Sequence, residues 1–159
     1  MEKDKIIVDQ LLKQWTGTCN SATQLFDKLA TSWDKEISPG RNKVSYIVGH
    51  LTAYNDRMIE ALDLGERQYP ELDENYIEQP QKEGMNYADY KEAKEKWLAI
   101  NEYLSNKFKA MSVEDWLSKH HYVSTEDFAK EPHRDKLAIL VSRLGHVYMH
   151  LGQLRLIKD

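Results

Sequence analysis

Over residues 5–34 the apolar side chains Val8, Leu11, Leu12, Trp15, Cys19, Ala22, Leu25, Phe26, Leu29 and Trp33 return every three or four positions. That spacing puts them on one face of a helix. Ile37-Ser38-Pro39-Gly40 then reads as a turn, because Pro sets one backbone angle and Gly permits the reversal. A second stripe of Val44, Ile47, Val48, Leu51, Tyr54, Met58 and Leu62 predicts a helix over 43–64, with Gly65 as its stop. Tyr90, Ala93, Trp97, Ile100, Leu104 and Phe108 predict a third over 87–111. Leu137, Leu140, Val141, Leu144, Tyr148 and Leu151 predict the last, over 132–157, with Pro132 in its first turn. Ile139 and Ile157 add a second apolar flank to this helix, so burial on two sides is expected.

The connections decide how four such helices assemble. Residues 65–86 hold two prolines and no helical stripe. A structureless stretch of that length is unusual in a compact domain and is expected to have a task. About twenty residues can travel the length of a bundle, which lets helix three run parallel to helix two. The shorter return before helix four makes that helix antiparallel to both. The expected fold is all-α: a four-helix bundle, up-down-down-up, with a long crossover between helices two and three. Ser112 with Asp115 predicts a capped short helix ahead of an irregular stretch through Arg134, and Trp116 is expected to roof one end of the bundle.

With 159 residues, a single domain spanning 1–159 is expected, large enough for a core without disulfides. Seven glycines and four prolines in a chain 41% hydrophobic and 30% charged argue against disorder and against an all-β fold. The one cysteine, Cys19, lies on the first apolar stripe and reads as a small core residue rather than a reactive thiol. It allows no internal disulfide, and the charged Met1-Glu2-Lys3-Asp4-Lys5 start lacks an apolar stretch behind it, so a cytoplasmic location is expected. No apolar run approaches the roughly 20 residues that cross a bilayer, so no membrane-spanning helix is predicted. With a net charge of −4 and no basic block, nucleic acid is not an expected partner.

Candidate chemistry centres on histidine. His146 and His150 are four residues apart, about 40° around a helix, so both imidazoles can face one ion. His50 lies beside the apolar stripe of helix two, about eight residues after its start, and His150 about eight before the end of helix four. In antiparallel helices these levels coincide, which makes His50, His146 and His150 a candidate metal site. The alternative is that these histidines are structural and hydrogen-bond one another. Arg57 and Arg143 project near the flanks of His50 and His150 and are candidates for binding a substrate carboxylate, although ordinary salt bridges would also account for them. Tyr54, one turn beyond His50, is a candidate hydrogen-bond donor or a core residue. His120, His121 and His133 fall in or beside the irregular stretch and are expected to be exposed.

Val48-Gly49-His50-Leu51 on one helix, an aromatic-containing crossover, and a final helix with His146-xxx-His150-Leu151-Gly152-Gln153-Leu154 resemble the DinB-like (DinB/YfiT) family of metal-binding four-helix bundles. The resemblance covers nearly the whole chain. It implies that His50, His146 and His150 hold a divalent ion, usually nickel, zinc or iron, with water in the open positions and often within a homodimer. It also implies metal-dependent hydrolase or thiol S-transferase chemistry on a small-molecule substrate, through metal-bound hydroxide or the thiolate of a low-molecular-weight thiol. A non-catalytic metal-binding or small-molecule-binding bundle is the alternative, since one site of this kind serves many reactions.

Overall fold

A computed structural model describes residues 2–81 and 87–157, and among these every regular element is helical. Four long helices follow the apolar stripes: α1 (Glu2–Lys28), α2 (Val44–Ala61), α4 (Tyr90–Ala110) and α7 (Lys136–Leu154). Three short ones lie between them, α3 (Leu72–Tyr76), α5 (Val113–Trp116) and α6 (Thr125–Lys130).

The ends differ from the stripe-based expectation for local reasons. Helix α1 gives way to a 3-10 turn over Ala30–Ser32 rather than continuing to 34. Helix α2 stops before Gly65, because Asp63 already adopts φ +56 and the Asp63 and Leu64 amides close back on the Glu60 and Ile59 carbonyls. Pro132 does not open α7: Asp135 caps it instead, accepting from the Ala138 amide. Ser112 and Asp115 do form the reciprocal cap of α5. The stretch 65–86 is not structureless where it is described, since α3 lies in it, while 82–86 fall outside the described residues. Helix α6 likewise replaces part of the expected irregular segment.

Pair contacts give the helix directions. Trp15 meets Phe108, Phe26 meets Trp97 and Trp33 meets Tyr90, so α1 and α4 are antiparallel. Gly49 and Thr52 face Ala93 and Lys96, and the Asn55 amide donates to Asn101, so α2 and α4 run in the same direction. Tyr54 lies against Arg143, and Met58 and Ala61 face Ile139, so α7 descends past α2. Trp15, Phe26, Leu51, Trp97, Leu104, Trp116 and Leu140 are fully buried between these helices. Each such side chain contributes about 2 kcal/mol by leaving water. Trp116 is fully buried and packs edge-on against Phe108. The two-sided burial expected of α7 is only partial, because Val141, Tyr148 and Met149 are substantially exposed.

Ion pairs fasten the connection after α2 onto that helix. Asp56, fully buried, accepts from Arg67 Nε and from the Gln68 and Tyr69 amides. Arg67 reaches both oxygens of Asp73 at 2.7 Å, and Arg57 donates to one of them through two nitrogens at 3.0 and 2.8 Å. Two cations and two anions thus tie α2, the following loop and α3 together. Tyr76, the last residue of α3, is positioned by this clamp.

Candidate metal centre

Helices α2 and α7 bring His50, His146 and His150 to one level, with candidate ligand nitrogens all within 4.8 Å of one another. His146 Nε2 lies 3.0 Å from His50 Nε2 and 3.1 Å from His150 Nε2. Two nitrogens bound about 2.1 Å from a common ion at near-right angles are about 3 Å apart, so the spacing fits a shared ligand. His150 is buried, and the other two are half-buried.

The outer ring atoms set which nitrogen carries the proton. His50 Nδ1 donates to the Tyr76 carbonyl at 2.6 Å, because a carbonyl can only accept. His150 Nδ1 donates to Gln153 Oε1 at 2.8 Å. Both contacts leave an Nε2 lone pair aimed inward, as a ligand requires. His146 differs. Its Nδ1 faces an Arg143 nitrogen at 3.0 Å, and a guanidinium only donates, so here the ring proton belongs on Nε2. From there it can be shared with the lone pairs of His50 and His150. Ligation through His146 Nε2 therefore requires Arg143 to turn away from Nδ1.

Electrostatics keeps the three rings neutral. Burial, then Arg143 and the neighbouring histidines, holds His146 down to about 3. Burial, with His50 and Arg143 adding to it against the Gln153 hydrogen bond, holds His150 down to about 4. Burial also lowers His50, opposed by its bond to Tyr76. Neutral imidazoles are the ligand form. Aromatic rings flank the cluster: Tyr46 stacks on His50 at 5.8 Å, and Tyr54 meets His50 and His146 edge-on at 4.7 and 4.9 Å.

The other candidates separate. Tyr54 and Arg143 belong to the site, with the guanidinium 4.5 Å above the Tyr54 ring. Arg57 does not reach the histidines and is instead engaged by Asp73. Cys19 is buried against Asn101, and burial pushes its thiol up to about 12, so it is no nucleophile. His121 and His133 are exposed, His121 resting on Asp63, whereas His120, expected exposed, is half-buried. None of these three joins the cluster.

Residues that sequence reasoning left without a role are Tyr46, Tyr76 and Gln153. Gln153 was within reach, since i+3 from His150 places it on the same face. Gly49 is the trace of Tyr76: a Cβ there would lie 2.1 Å from the Tyr76 ring, so glycine lets that ring against α2 beside His50. The Tyr76 carbonyl itself leaves no residue signature. No family model matches this chain, and no curated protein matches it.

Proposed function

We propose that this chain is a divalent-metal protein of the DinB-like kind, a four-helix bundle running up-down-down-up that holds one nickel, zinc or iron ion on His50, His146 and His150. The observation that carries this reading is the convergence of three imidazoles, two of them held by outer hydrogen bonds with lone pairs inward. An ion there would act as a Lewis acid toward water or a low-molecular-weight thiol, which makes hydrolysis and thiol S-transfer the reactions to test. The Tyr76 carbonyl and Gln153 orient His50 and His150, and Tyr46 and Tyr54 shield the rings from bulk water. The nucleophile would come from water or cosubstrate, as Cys19 is too deep to serve. On α7, exposed Val141, Tyr148 and Met149 offer an edge for the homodimer that the resemblance implies.

A second reading has its own support. With Arg143 on His146 Nδ1, the three histidines form a complete hydrogen-bonded cluster without any ion. Elemental analysis separates the two readings. The untagged protein and His146→Ala are each exposed to nickel, zinc, iron and manganese, then dialysed, with circular dichroism recorded on both. About one ion per chain in the parent and almost none in a folded variant supports the site. No retained ion in either overturns it. Where metal is retained, a thermal-shift screen with and without low-molecular-weight thiols distinguishes a thiol-using protein from one that binds none.

A further inference from the structure

Beside the histidines, between α2 and α7, lies a pocket of about 220 Å³. Met58, Ala61 and Ile139 form its apolar wall, and the aromatic side chains of Tyr54 and Tyr122 complete the lining. Two arginines also line it, and their circumstances differ. Arg57 pairs with Asp73, which also holds Arg67, and Arg67 in turn pairs with Asp56, so that cluster of two cations and two anions is neutral as a whole. Arg143 is half-buried and pairs with no carboxylate among the described residues; its contacts are the Tyr54 ring and His146 Nδ1. A partly buried charge without a counter-ion is costly, and an incoming anion relieves that cost.

We propose that this pocket binds a small monocarboxylate with a flat apolar body, with Arg143 as its charge partner. The planar guanidinium fork matches two carboxylate oxygens: its hold on His146 uses only one nitrogen, and metal ligation, which releases that hold, leaves the whole fork for the carboxylate. One unpaired cation balances one negative charge. Exposed Glu60 accepts a hydrogen bond from the Tyr122 hydroxyl at 2.9 Å, and its negative charge beside that wall disfavours a dianion. The volume is below that of sites for drug-sized ligands, so the body of the ligand is about the size of a single ring. Because Tyr54 and Arg143 both touch His146, the ligand lies next to the candidate metal centre. The proposal names a substrate class for that centre and so rests on the reading above, but Arg143 and the pocket walls are tested separately from the ion.

The test is calorimetric titration of benzoate, and of benzamide as its uncharged counterpart of similar shape, into the parent and Arg143→Gln. Each is run on chelator-dialysed and zinc-loaded protein, with metal content measured in the same samples. Benzoate is expected to bind about tenfold more tightly than benzamide in the parent, with or without zinc, and Arg143→Gln to remove that preference. Equal binding of the two, a preference that survives Arg143→Gln, or no saturable benzoate binding up to about 10 mM overturns the proposal. Should Arg143→Gln fail to fold, Ile139→Trp fills the pocket while keeping the guanidinium. That variant must lose benzoate binding, and retention overturns the proposal. Arg143-dependent benzoate binding without retained metal leaves the pocket standing and removes the metal reading, while retained metal without benzoate binding does the reverse.

Discussion

Helix α7 sets His146 and His150 one turn apart by the helical repeat alone, and Gln153 supports His150 from the next turn of the same helix. His50 is served differently: its Nδ1 partner is a carbonyl 26 residues away, held in place by ion pairs among Arg57, Asp56, Arg67 and Asp73. One half of the centre is local and insensitive to what packs around it, and the other depends on a clamp. Damage to the clamp is therefore expected to reach stability and site together, whereas loss of Gln153 on α7 reaches the site alone.

The largest effect is expected at Asp56. Asp56→Ala removes a buried partner of Arg67 and the acceptor of two backbone amides, a loss of about 3 kcal/mol in urea unfolding. A loss under about 1 kcal/mol would mean the clamp does not hold the connection. Two glycines that each precede a histidine sharpen the contrast. A Cβ on Gly49 collides with the edge of the Tyr76 ring, whereas one on Gly145 meets nothing within 4 Å. Overpacking at Gly49→Ala costs about 1–3 kcal/mol, against which better helix propensity returns up to about 1. Gly145→Ala, with only the second term, is expected to stabilise by up to about 1 kcal/mol. Thermal unfolding of the pair checks the opposite signs, and a shared sign removes the claimed close approach.

Smaller effects isolate α7. Gln153→Ala is expected to weaken zinc binding about tenfold in competition with a chelator while leaving the unfolding midpoint in place, because only the orientation of His150 is lost. Acidification is expected to do least. The folded values near 3 for His146 and 4 for His150 lie below the ordinary value near 6.5, so protons compete with a metal only well below that value. Where zinc is retained, its half-loss is therefore expected below about pH 6.5, and half-loss at or above that pH would contradict the neutral cluster. Without metal, the unfolded chain takes up protons below about pH 6.5 that the folded chain does not. Stability is then complete above that pH and declines as pH falls toward 4.

How much was legible follows from the same division. The stripes of α1, α2, α4 and α7 were readable because each long helix buries one face, and His146 and His150 because the helical repeat alone aligns them. His50 needed one further step, the antiparallel run of α2 and α7 that loop lengths imply. Helix ends were misjudged at Gly65 and Pro132, where nearby Asp63 and Asp135 take the capping roles. Arg57 stands open in the sequence between a substrate contact and a salt bridge, because its partner, Asp73, is reached only once the connection folds back on α2.

The sequence by itself determined the four long helices, their apolar faces and the three histidines, since those depend on neighbours within one or two turns. Only the tertiary structure decided what touches the outer nitrogen of each ring, which arginine is left without an acid, and where the pocket opens. Those are contacts between segments far apart in the chain. A backbone carbonyl such as that of Tyr76 is chemically the same in every residue, so its role comes from position alone.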